Sequence, residues 1–253
     1  MQRDADTAVI EPRKGRREAV LPASAVLIFT PQDLELFFNC FSRRPPRTHT
    51  ICLAGVHTGS ARGVELAVAG PALGAPQAVM VIERLIALGV RNVVAVGWCG
   101  SLQENVRIGD LVVPSSAVSE EGTSAHYPLP EGVFPAASPR LAEPLKGLLR
   151  TRGARVHEGS VWSTDAPFRE TVGKVTAHRE RGVLAVDMET SALFTLAAFR
   201  GIRMAVALVV SDDLSGLKWV HGFREPAFKT SRELLAAATL EVVCSSIDLM
   251  TEE

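Results

Sequence analysis

The sequence predicts a single α/β domain with a mixed central sheet flanked by helices. Three observations carry that reading. The stretch Gly182 to Asp213 runs as a short apolar segment (Val183 to Val186), a helical segment and a second apolar segment (Met204 to Val210). A second unit at 70–101 runs as a glycine-punctuated bend, a helix and a buried strand. The remaining apolar runs are short, strand-length and separated by turn residues, with no internal repeat and no linker that would split the chain. The expected organisation is an N-terminal arm over 1–20 followed by one domain over 21–253.

Composition bounds the function. The chain has 253 residues, 47% apolar and 22% charged, with a net charge of -1. That is ordinary for a folded domain with a large core, and it gives no reason to expect nucleic acid or membrane as a partner. No apolar run approaches the roughly 18 residues of a membrane span. The N-terminus, MQRDADTAVIEPRKGRREAV, has no apolar signal core. Cys40, Cys52, Cys99 and Cys244 are scattered without metal-ligand spacing, so no metal is expected. They read as reduced, mostly buried thiols of a cytoplasmic protein.

Taken in order, residues 1–20 are charged and aperiodic. They read as a mobile arm or an extended segment on a neighbour, with a basic cluster at Arg13, Lys14, Arg16 and Arg17. Ala25 to Phe29 is the first strand. Gln32 to Phe41 is a helix, with Leu34, Phe37, Phe38 and Phe41 on one face. The prolines of Arg43 to Arg47 make a loop. Ile51 to Val56 and Val64 to Ala69 are strands, and His57 to Gly63 is the turn between them. Gln77 to Leu88 is a helix stopped by Gly89. Val93 to Val96 is buried strand and Asp110 to Pro114 a short one. Leu141 to Arg150 is a surface helix. Thr230 and Glu233 form a capping box that opens a last helix reaching about Met250.

The chemistry gathers where the two apolar runs of the 182–213 unit stop. One stops at Asp187, Met188 and Glu189, the other at Ser211, Asp212 and Asp213. Ligands of open α/β sheets bind at the C-terminal ends of strands. Two carboxylates there suit a polar ligand with hydroxyls to hold and a proton to exchange. Taken singly, each is also a good helix N-cap.

VDMETSALF followed by VVSDD resembles the nucleoside phosphorylase family, which includes uridine phosphorylases, hexameric purine nucleoside phosphorylases and methylthioadenosine nucleosidases. GPALGAPQAVMVIERLIALGVRNVVAVGWCG is similar to the same family in layout. The resemblance implies that Met188 and Glu189 grip a ribose and that Asp212, with Ser211 beside it, serves the leaving base. Asp213 either perturbs Asp212 or caps the next turn. The segment GSVWSTDAPFRET, at 159–171, is where the family recognises the base. Trp162 and Phe168 there are candidates to stack on it and Arg169 to bond its carbonyls, although Trp162 and Phe168 equally suit a core or interface. His126, in the polar loop 120–128, either faces a ligand or neighbour or is a solvated loop residue. The resemblance also implies a homo-oligomer, dimer-based or hexameric, no cofactor, and a small-molecule nucleoside as ligand.

The resemblance departs from the family at the phosphate side. The Gly-Asp-Pro-x-Arg turn after strand one is Phe29-Thr30-Pro31-Gln32-Asp33 here. Family arginines fall on Ala95 and Cys52, and a hydroxyl residue falls on Trp98. Three functions fit this pattern. The first is phosphorolysis of a nucleoside, with phosphate as co-substrate and its binding residues unassigned. The second is hydrolysis of the same bond. The third is binding of a nucleoside without turnover.

Overall fold

A computed structural model describes residues 8–245. In chain order the elements are β1 (Ser24–Ile28), α1 (Pro31–Asn39), β2 (Arg47–Ile51), β3 (Ala54–Ala61), β4 (Val64–Gly70) and α2 (Ala75–Ala87). Then come β5 (Asn92–Ser101), β6 (Leu111–Glu120), α3 (Pro139–Thr151), β7 (Val156–Thr164), α4 (Val172–Glu180) and β8 (Ala185–Asp187). The chain continues through α5 (Thr190–Arg200), β9 (Arg203–Asp213), β10 (Val220–His221) and α6 (Pro226–Ser245).

The strands make one mixed sheet in the order β10-β9-β6-β7-β8-β5-β1-β4-β3-β2, with an additional pairing of β9 to β5. Because β9 pairs with both β5 and β6, the sheet closes on itself at that end. The β1–β4, β1–β5, β5–β9, β6–β7 and β7–β8 pairs are parallel. The other pairs, including β2–β3–β4, are antiparallel. Both faces of the sheet are covered. In β1, Ala25 and Leu27 pack with α2 and α5, while Val26 and Ile28 pack with α1, α3 and α6. Burial on both faces is why these strands read as unbroken apolar runs.

The expected mixed α/β domain is the one found, with shifted boundaries. His57 to Ala61 is strand β3, not turn, and the reversal before it is made at Cys52 and Leu53, with φ of 48° and 74°. GWCGS continues β5 as strand through Ser101. Helix α6 begins at Pro226, so Thr230 lies a turn inside it and caps nothing. A proline in the first turn is already preset for helix and needs no N–H there. The expected end near Met250 lies outside the described residues. Helix α4 adds to the expected elements, and its apolar face is weak: only Val175 and His178 are buried.

The described part of the arm lies on its own chain. Glu18 pairs with Arg84 of α2 at 2.7 Å and Glu11 with Arg200 of α5 at 3.2 Å. Among the thiols, Cys99 and Cys244 are buried but Cys40 and Cys52 are exposed, and all are free. That corrects the expectation of mostly buried cysteines: Cys40 sits just past the end of α1 and Cys52 on the β2–β3 turn. Among the described residues no helix is long and apolar enough to cross a membrane.

Candidate active site

The cavity lies where β5, β8 and β9 end. Its volume is about 520 Å³. Asp187, Met188, Glu189, Ser211 and Asp212 all line it, so the residues at the two apolar run-ends come together as expected.

The β8–α5 junction builds one wall. Asp187 is buried and serves the backbone. Its carboxylate accepts hydrogen bonds from Ser163 Oγ at 2.5 Å, from the Thr190 N–H at 2.9 Å and from the Thr190 hydroxyl. Ser163 Oγ in turn accepts from the Ser191 N–H at 3.0 Å, so the start of α5 is fixed from below. Helix α5 ends at Gly201, whose left-handed conformation, φ 64°, is cheap only for glycine. Leu193, Phe194, Leu196 and Ala197 of this helix are buried, while Phe199 is exposed.

Glu189 is thereby left on the cavity wall. It is 3% exposed and accepts hydrogen bonds from the Gly74 N–H at 2.6 Å and the Met188 N–H at 3.2 Å. Burial, and then the charge of Asp187, push its carboxyl up to about 8. Burial likewise raises Asp187, against the bonds it accepts. The two carboxyls thus favour keeping a proton between them.

The second wall comes from β9. Its pairing with β5 runs in step to Cys99–Val210 and resumes at Gly100–Asp212, so Ser211 is the extra residue of a bulge. A bulge re-aims the side chains after it. Ser211 Oγ lies 3.2 Å from the Cys99 carbonyl and 2.6 Å from Asp212 Oδ1. The second Asp212 oxygen accepts from Trp219 Nε1 at 3.0 Å. A Cβ on Gly100 would come within 3.0 Å of Asp212 Oδ2, so the glycine makes room for this carboxylate.

The segment 159–171, which spans the end of β7 and the connection beyond it, meets its expectations only in part. Phe168 lines the cavity and is 98% exposed, a rim residue. Trp162 does not reach the cavity. It is fully buried with Leu102, Val175 and Val183 and stacks on His178, centroids 4.4 Å apart. Strand β7 is covered on both faces by this point, and the core claims the indole. Arg169 is exposed and is not among the cavity residues. His126 ends an exposed 3₁₀ turn and also stays outside. Asp213 caps the next turn, accepting from the Ser215 N–H at 2.7 Å. Glu170, Leu214, Trp219 and Phe223 line the cavity in addition to the residues expected there.

The third wall is the one where the sequence departs from the family. Phe29, Thr30 and Trp98 form it. Behind it Asp33 is buried, accepting from Trp98 Nε1 at 2.6 Å, Thr30 Oγ1 at 3.0 Å and Arg232 Nε at 2.6 Å. The Arg232 guanidinium also lies 5.1 Å from the Trp98 ring and 5.3 Å from that of Phe228. Asp33 is therefore neutralised internally rather than presented to a ligand. Ala95 is buried and Cys52 is on an exposed turn. None of the described residues lining the cavity is Lys or Arg.

The fold, with paired carboxyls at converging strand ends, defines a class. The chain belongs to the Phosphorylase superfamily, whose family profile matches residues 24–247. It is similar to a DeoD-type purine nucleoside phosphorylase of Bacillus cereus, 31% identical over 73% of this chain and 79% of that protein. The counterpart from Bacillus thuringiensis (strain Al Hakam) matches to the same extent. Among solved structures, a uridine phosphorylase from Vibrio fischeri superposes with a TM-score of 0.80 at 24% identity, over 89% of this chain and 93% of that one. That likeness speaks for the fold alone.

Proposed function

We propose that this protein cleaves the N-ribosidic bond of a nucleoside and transfers the pentosyl group to phosphate. Family membership and the names of its relatives support the reaction. The single observation that carries it to this site is Glu189, a buried carboxyl held at the cavity wall by the Gly74 N–H. Such a group accepts hydrogen bonds from ribose hydroxyls, with Met188 beside it against the sugar. As the bond breaks, positive charge grows on the ribose and negative charge on the base. Glu189 and Asp187 lie on the side of the sugar charge. Asp212, with Ser211, serves the base end, where the departing base takes up a proton. Phe168 offers a face for the base at the rim. No cofactor is needed; phosphate is the co-substrate.

With no cation among the described residues lining the cavity, phosphate needs a guanidinium or ammonium from elsewhere, and a second copy is the natural source. We therefore propose a homo-oligomer, dimer-based and extending to a hexamer, acting in the cytoplasm. The same bare wall favours a second reading, in which water replaces phosphate. Phe29 and Trp98 offer no charge to a dianion, and Arg232 is already paired with Asp33.

A panel of nucleosides incubated with and without phosphate tests these readings. Phosphorolysis requires phosphate and yields ribose 1-phosphate. Release of base and free ribose in phosphate-free buffer makes the protein a nucleosidase. Thermal stabilisation by nucleosides without any product leaves it a binding protein.

A further inference from the structure

We propose that Glu170, in the same cavity as Asp212, is the general acid of the base end: its carboxyl holds a proton at rest and surrenders it to the departing base. This rests on the N-ribosidic cleavage proposed above and assigns its proton.

Both residues line the cavity, from different elements. Asp212 comes from the end of β9. Glu170 comes from the short connection between β7 and α4, and that connection is pinned. The Glu170 N–H donates to the Pro167 carbonyl at 3.2 Å and the Thr171 N–H to the Arg169 carbonyl at 2.9 Å. Thr171 then caps α4, its hydroxyl accepting from the Lys174 N–H at 3.4 Å. The Glu170 side chain is therefore placed by two consecutive turns and a helix start. Its neighbour Arg169 is left exposed.

The two carboxyls have opposite surroundings. Asp212 has a donor on each oxygen, Ser211 Oγ and Trp219 Nε1, an arrangement that suits a carboxylate. Glu170 has no side-chain hydrogen-bond partner among the described residues, and the cavity around it is largely apolar. The other titratable carboxyls lining the cavity are Asp212 from β9 and Asp187 and Glu189 from the β8–α5 junction. With the like charge of Asp212 near it and no cation among the described residues lining the cavity, Glu170 is the carboxyl that keeps its proton. Burial, then the charge of Asp212, raise its carboxyl to about 7. Environments that separate two titratable groups in this way mark an acid and its partner.

The step balances without a co-reactant beyond the acceptor. An oxygen of the acceptor bonds to C1′ as the bond between C1′ and the base nitrogen breaks, and that bond's electron pair goes to the base. The Glu170 proton passes to the base, leaving Glu170 ionised, and solvent at the open rim beside Phe168 restores it. Since the acid must be protonated to act, activity is present below about pH 7 and falls as pH rises through it.

The test compares wild type with Glu170→Gln on two substrates: a purine nucleoside, whose base needs protonation, and 4-nitrophenyl β-D-ribofuranoside, whose leaving group does not. We expect Glu170→Gln to lower kcat/KM on the nucleoside by about 10²-fold and to remove the fall above neutral pH. On the nitrophenyl riboside the loss should stay within about threefold, since no acid assistance is at stake there. Equal losses on both substrates would assign Glu170 a structural role and overturn the proposal, as would an unchanged pH profile on the nucleoside. A wild-type protein that cleaves neither substrate removes the cleavage reading and this one with it. Cleavage of both with an indifferent Glu170→Gln removes only this one.

Discussion

Glu189 combines a position on the cavity wall with nearly complete burial, and both halves are measurable. Its carboxyl is raised to about 8 in the folded chain, against an unfolded value of 4.5. The folded state therefore binds more protons than the unfolded one between those values. Its contribution to stability is fully present below about pH 4.5 and is lost as pH rises towards 8. Glu189→Gln should flatten this part of the melting-temperature profile, and an unaltered slope would show that the proton sits elsewhere. Glu189→Ala should weaken ribonucleosides about 3- to 10-fold while sparing free bases, the scale of one lost neutral hydrogen bond. Equal loss for both would make the residue structural. Met188, Glu189, Ser211 and Asp212 were legible because each terminates an apolar run. Glu170 was not, since nothing in Phe168-Arg169-Glu170 tells which of three neighbours turns inward. The 3₁₀ turn decides that, and it decides against Arg169. Trp162 was ambiguous for a related reason: an aromatic on a strand looks the same whether the face it occupies is core or cavity.

Among the elements, the β5–β9 pair matters most to the site. The bulge at Ser211 and the missing side chain at Gly100 together set the position of Asp212. A methyl at Gly100 would meet Leu214 Cδ1 at 2.7 Å and Asp212 Oδ2 at 3.0 Å. Both are flexible ends, so they give way while the backbone stays. Gly100→Ala should therefore lower kcat about 10-fold or more through Asp212, with a stability loss within about 1–3 kcal/mol. Activity and melting temperature measured on one preparation would separate these, and a fall in stability with kcat intact would contradict the account. The bulge was invisible in VVSDD, because register is a property of two strands and the sequence of one does not contain it. The strands and helices themselves were readable where both faces are buried, as in β1 and β9. They were lost where burial is slight, as in α4.

At the scale of the whole molecule, the Asp33–Arg232 pair ties α1 to α6 behind the cavity wall. The side chains are 4% and 14% exposed, so removing one partner strands a charge with little water. Arg232→Ala should cost about 3–5 kcal/mol in denaturant unfolding, and Asp33→Asn added to it should recover part of that. No recovery in the double variant would mean that the arginine acts through its packing on Trp98 and Phe228. The assembly is open to an equally direct check. Light scattering at micromolar concentration should return a dimer or a larger even-numbered species. A monomer would remove the proposed source of a phosphate-binding cation.

Asp33 and Arg232 are 199 residues apart in the chain. Protein synthesis runs from the N-terminus, so Asp33 leaves the ribosome long before its counter-charge. Glu189 and Asp212 also emerge ahead of it. A nascent chain halted after β9 carries the cavity carboxyls of β8 and β9 and most of the sheet, yet its third wall lacks the guanidinium that holds Trp98 and Asp33 in place. Birth order thus makes α6 the closing piece of the pocket, and a chain arrested short of it has no finished site to offer a ligand.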